Sequence, residues 1–167
     1  LQAEWGPNGY AAQTWSDIPK EDGRCLQISW MRGGKYPGMP FNQQMSFPVE
    51  LSLKNTPDGI RLCRQPIQEI SNLYLRNICK SDITILEGVP LIPPIKNELL
   101  DISFTLDMGD AHTWTAKICG KDLVYQSNLH QLSFENTAVS IKLRKKNMYL
   151  RLLVDRTSLE IFLHEGE

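Results

Sequence analysis

The sequence predicts an all-β protein: a single four-stranded, propeller-type blade followed by an antiparallel β-sandwich. Three observations predict this. Near the end of the chain, Met148, Leu150, Leu152 and Val154 fall on one strand face, and Leu159, Ile161 and Leu163 fall on one face of a return strand. That period-two alternation marks half-buried antiparallel strands. Turn signals break the first sixty-odd residues into four strand-like segments. Helical periodicity is scarce throughout.

The segments follow in order. Residues 9–16 alternate, with Tyr10, Ala12 and Thr14 on one face and Ala11, Gln13 and Trp15 on the other. Residues 24–31 follow the polar turn Pro19-Lys20-Glu21-Asp22-Gly23. Residues 46–53 follow a Gly- and Pro-bearing loop, and 60–64 follow Asn55-Thr56-Pro57-Asp58-Gly59, a strong turn signal. Four consecutive antiparallel strands of this size make one propeller-type blade, which needs a neighbour to bury its faces. Residues 67–78 read as an extended connector rather than a short helix, and 87–94, with three prolines, as a rigid extended loop.

Residues 98–107 then alternate cleanly, Leu100, Ile102, Phe104 and Leu106 against Asp101, Ser103, Thr105 and Asp107. Residues 113–119 and 123–126 flank Gly120-Lys121-Asp122, a short hairpin connection. Residues 138–143, 148–155 and 159–163 complete the run, with Asp155-Arg156-Thr157-Ser158 as the last turn. Short strands at regular spacing point to a sandwich. The expected division is residues 1–68 for the blade and 69–167 for the sandwich. A chain that stops just after a strand reads as cut short.

Composition narrows the function classes. Of 167 residues, 41% are hydrophobic, enough for a sizeable core, and the net charge is -1. That charge gives no nucleic-acid footprint. The basic run Arg144-Lys145-Lys146 reads as a solvated hairpin turn. No apolar run is long enough for a spanning helix, so no membrane partner is expected. Cys25, Cys63, Cys79 and Cys119 are widely spaced, without a CxxC. They read as core thiols, with disulfides as the alternative, and a metal site is not expected.

Catalytic patterns are absent too. Asp17, Glu50, Asp101, Glu135 and Glu160 fall in or beside strands and read as surface carboxylates. His112, His130 and His164 have no ligand spacing, and Ser46 and Ser158 lack a nucleophile elbow. Trp5, Trp15 and Trp114 are assigned to packing.

Several segments resemble glycoside hydrolase family 32, which contains the invertases, inulinases and levanases. Gly9-Tyr10-Ala11-Ala12-Gln13-Thr14-Trp15 is similar to its "fYAaqt" strand, and Ile28-Ser29-Trp30-Met31 to its "gWM" strand. Met45 to Leu51 resembles "mslPReL", and Arg61-Leu62 with Gln65-Pro66-Ile67 resembles "rL.q.Pv". Glu98-Leu99 through Gly109-Asp110-Ala111, and above all Val154 to Phe162, resemble the C-terminal sandwich. The resemblance runs along nearly the whole chain in the family's order. It implies the last blade of a five-bladed propeller, part of a catalytic domain, followed by a lectin-like sandwich. Two departures stand out: Glu4 and Asn8 occupy the stretch where the family has Asp, and Val49 replaces the Arg of "PReL".

Retaining glycoside hydrolysis uses two carboxyl groups about 5 Å apart. The family draws on "WMNDPNG", "RDP" and "EC" motifs, none of which occurs here. The expectation is a C-terminal fragment of a β-fructosidase acting on sucrose or fructans, itself a non-catalytic scaffold, with no cofactor or metal. The resemblance implies substrate-binding roles in the intact parent for Trp30, as a sugar-facing wall, and for Glu4 and Asn8. A secreted or periplasmic setting follows from the same resemblance. Two alternatives remain. One is a fructan-binding module, for which Tyr74, Tyr125, Tyr149 and Phe162 are candidates although they form no row in sequence. The other is an oligomerisation sandwich.

Overall fold

In the computed structural model, residues 4–56, 59–89, 99–141, 143, 146–164 and 166 are described. The proline-rich residues 90–94, the turn residues Pro57 and Asp58, Glu98 and the basic pair Arg144-Lys145 lie outside them.

The first sheet is the expected meander, β1 (Gly9–Thr14), β2 (Cys25–Met31), β3 (Val49–Thr56) and β4 (Gly59–Pro66), in the order β1-β2-β3-β4. All its pairings are antiparallel. The expected unbroken alternation in the first strand is corrected. The register shifts between Tyr10 and Gln13, where Ala11 takes φ 46°, so the faces exchange midway as in a β-bulge. The connector expectation is corrected as well: Gln68–Leu73 form a 3-10 helix with Ile70 buried. Arg24 fixes it to the blade. Its Nη2 and Nη1 donate to the Glu69 carboxylate at 2.8 and 3.1 Å, while Nε donates to Asp22 at 2.6 Å.

Two further sheets form the sandwich. One has the order β11-β10-β5, from β5 (Leu100–Asp107), β10 (Asn147–Val154) and β11 (Leu159–Leu163). The other runs β6 (Thr113–Ile118), β7 (Lys121–Gln126), β8 (Gln131–Phe134) and β9 (Thr137–Ser140). The strand β8 has no counterpart in the sequence reading; four residues with one Leu and one Phe are too short to declare a period.

Alternation sorts β10 as expected: Met148, Leu150, Leu152 and Val154 join Leu106, Leu123, Tyr125, Leu132 and Ile141 in one core. Leu100, Ile102, Phe104, Leu159, Ile161 and Leu163 pack against it. Tyr125 is fully buried, its hydroxyl 3.3 Å from the Ile141 carbonyl. Trp114 packs as expected, its ring 5.5 Å from that of Phe104. Trp5 and Trp15 do not; they are 54% and 48% exposed, because nothing described overlies the edge strand beside them. Cys63 is buried as a core thiol, whereas Cys25, Cys79 and Cys119 are exposed, against the core reading.

Candidate functional site

The richest polar cluster is a seam where the last hairpin of the sandwich meets the loop between β2 and β3. The turn after β10 is closed by the Asp155 N–H donating to the Ser158 carbonyl at 2.9 Å. That turn presents side chains to Gln44. Gln44 Nε2 donates to Ser158 Oγ at 2.8 Å, and Thr157 Oγ1 donates to Gln44 Oε1 at 2.6 Å. Two residues on, Glu160 Oε1 accepts the backbone N–H of Phe47 at 2.7 Å. A third tie comes from β4, where the Arg64 N–H donates to the Gly166 carbonyl at 2.9 Å. The Arg64 guanidinium also donates to Glu4 at 3.1 Å.

Glu160 overturns its surface reading. Strand alternation does point it away from the sandwich core, but the blade loop covers that outward face. Burial pushes its carboxyl up to about 7; the nearby Glu4 charge adds to the rise, while the Phe47 N–H and Arg64 oppose it. Asp101 also departs from a simple surface carboxylate. Arg151 holds it in a two-pronged pair, Nε to Oδ1 at 3.0 Å and Nη2 to Oδ2 at 2.7 Å, and the Tyr74 hydroxyl donates to the same carboxylate. Burial alone would raise its pKa, yet the Arg151 and Tyr74 bonds outweigh that and hold it below the usual range. Asp17 and Glu135 are exposed and Glu50 is half-buried. Ser46 is buried, accepting the Ser29 N–H at 3.0 Å. Among the described residues, no group of three or more His, Cys, Asp or Glu is placed to hold a metal ion.

Trp30, Asn8 and Glu4 sit at or beside the β1–β2 pair. Trp30 lies opposite Tyr10, the two rings edge to face at 6.0 Å. Its indole N–H donates to Gln43 Oε1 at 2.6 Å. Asn8 exchanges two bonds with Arg32: its Nδ2 donates to the Arg32 carbonyl at 2.7 Å and its carbonyl accepts the Arg32 N–H at 2.8 Å. Glu4 is engaged by Arg64 and stands close against Gly9, where a Cβ would strike its carboxylate. Trp30 therefore offers a half-exposed ring, while Asn8 and Glu4 are already committed to protein partners.

The sequence reading missed Gln44, Phe47 and Arg64. Each reaches its partner across a hundred residues or so in the case of Gln44 and Phe47, and no local pattern signals such a contact.

No family model matches the chain. A levanase from Bacillus sp. (strain L7) is 26% identical over 99% of this chain and 21% of that protein. A levanase from Bacillus subtilis (strain 168) is 36% identical over 44% of this chain and 11% of that protein. The chain is thus similar in sequence to levanases. An extracellular exo-inulinase of Aspergillus niger aligns at 24% identity over 98% of this chain and 36% of that protein. The resemblance to glycoside hydrolase family 32 thus holds along nearly all of the chain. The fold agrees. An exo-inulinase from Aspergillus awamori superposes with a TM-score of 0.71 at 19% identity, over 99% of this chain and 37% of that one. A sucrose-6-phosphate hydrolase from Lactobacillus gasseri gives 0.66 at 21% identity, over 98% of this chain and 36% of that one. The chain spans between 11% and 36% of the length of these curated relatives.

Proposed function

We propose that this chain is the C-terminal portion of a retaining β-fructosidase that hydrolyses terminal β-D-fructosyl bonds in sucrose or fructans. In this reading residues 1–68 are one blade of the catalytic propeller and 69–167 a non-catalytic sandwich that braces it. The observation that carries the reading is the seam. Gln44 and Phe47 of the blade loop are tied to Thr157, Ser158 and Glu160 of the sandwich by short hydrogen bonds. Such a seam suits a brace, because several directional bonds fix orientation as well as proximity.

The two carboxyl groups of the reaction are assigned to a part of the parent outside this chain, since no matching motif occurs in it. Trp30 is the strongest candidate for a sugar contact. Its ring is half exposed and braced by Tyr10 and Gln43, and an aromatic face suits the apolar face of a sugar while its edge stays wet. Asn8 and Glu4 would have to share their present partners with a sugar hydroxyl.

The test is fructose release. The purified chain, at high concentration, is incubated with sucrose, inulin and levan. No release is expected. Release that survives repurification would overturn the scaffold reading, and Glu50 and Asp17 would be the first carboxylates to substitute.

A further inference from the structure

The outward face of the three-stranded sheet has a chemistry that the brace does not use. Leu100, Ile102, Phe104 and Leu106 of β5 face the core, as do Met148, Leu150 and Leu152 of β10. By alternation Ser103, Thr105, Tyr149, Arg151 and Phe162 face outward. Register then sets them in rows. Tyr149 lies opposite Thr105, and Arg151 lies between Ser103 on β5 and Phe162 on β11. The next row, Asp101, Leu153 and Glu160, runs into the seam, where Leu153 is only 2% exposed. The face is therefore closed at one end and open at the other.

The open part mixes rings with neutral hydroxyls. Tyr149 is 38% and Tyr74 44% exposed. The hydroxyls of Ser103 and Thr105 are exposed and bond to no other described residue. Arg151 and Asp101 cancel each other in their two-pronged pair, and the Tyr74 hydroxyl bonds to the same carboxylate. Three of the four aromatic residues that form no row in sequence are thus gathered around one neutral pair; the fourth, Tyr125, belongs to the core.

We propose that this face is a binding shelf for a neutral oligosaccharide, with Tyr149 as the stacking ring and Ser103 and Thr105 as its hydrogen-bonding edge. The chemistry selects that occupant. A sugar ring offers an apolar C–H face to an aromatic ring and hydroxyls to its surroundings. Ser103 and Thr105 stand about 7 Å apart along the strand, so one disaccharide can meet both. Because Asp101 already neutralises the guanidinium, and Asp107 opposite Asn147 adds a carboxylate at the open end, an anionic polymer finds no free cation on the shelf. The shelf does not depend on the proposed β-fructosidase activity, and its failure would leave that reading intact.

Affinity electrophoresis of the whole chain tests it, with inulin, levan and dextran as neutral probes and polygalacturonate as the anionic one. At least one neutral glycan should retard the chain. Tyr149→Ala should weaken that retardation about tenfold, as loss of a stacking ring implies. Thr105→Ala should weaken it less, and Trp15→Ala, an exposed ring beside β1 of the blade, should leave it unchanged. Circular dichroism checks that each variant is folded; should Tyr149→Ala fail that check, Thr105→Ala and Ser103→Ala together decide. Retardation by no neutral glycan would overturn the shelf, as would stronger retardation by polygalacturonate. So would a dimer in sedimentation that Tyr149→Ala dissolves, since the occupant would then be a second copy of the chain.

Discussion

In β10 of the sandwich, Met148, Leu150 and Leu152 are at most 1% exposed; in β1 of the blade all six residues are exposed. Both strands belong to antiparallel sheets, and both come from alternating sequence. What differs is cover. The sandwich has two sheets, so one face of each meets the other across a shared core of Leu, Met and Tyr side chains. The blade is a single sheet whose buried apolar residues are few, Val49 and Cys63 among them, while Leu53 and Ile60 stand 71% and 66% exposed. A strand becomes core only where a second layer lies over it. Alternation in the sequence says which face is ready to be covered, not whether anything covers it.

Substitutions can break or sharpen this contrast. The largest effect should come from Leu152→Ala in the sandwich core, a loss of about 3 kcal/mol in urea unfolding. Leu53→Ala on the blade should stay within about 0.5 kcal/mol. Equal losses at the two positions would erase the distinction.

Next comes the pH dependence of the seam. The Glu160 carboxyl is raised from 4.5 to about 7 in the folded chain. The stability it contributes is full below pH 4.5 and is lost as pH rises through about 7, by about 3 kcal/mol at most. Glu160→Gln keeps the acceptor for the Phe47 N–H and cannot ionise. Its unfolding free energy, measured from pH 4.5 to 8, should therefore lack the decline seen in the parent chain. Matching slopes would mean that Glu160 is not covered in solution. Asp101→Asn should follow, costing about 2 kcal/mol because it strands a half-buried Arg151. The smallest effect should be Tyr125→Phe, about 1 kcal/mol for one weak bond to the Ile141 carbonyl.

Much of the fold was legible because most pairings are local. β1 to β4 and β6 to β9 each pair with the next strand in sequence, so turn residues and alternation were enough to place seven of those eight strands. Gly120-Lys121-Asp122 marked the β6–β7 hairpin. The 3-10 helix was hidden because Ile70 is its one buried residue, too little to show a helical period. The polar site was far less legible. Glu160 carries an ordinary strand signal, and only a loop more than a hundred residues away covers it. Cys25 and Trp15 are apolar residues in or beside strands, yet no layer covers them, so residue type alone misplaced both.

Gln44 must wait for Ser158, 114 residues later in the chain. At ordinary rates of synthesis that wait is on the order of ten seconds. The blade's hairpins can close within microseconds of emerging. For most of that interval the blade's strands would stand on the ribosome with their seam loop unclasped. The same separation that makes the seam a global lock makes it the last contact to form, after the final hairpin has been translated.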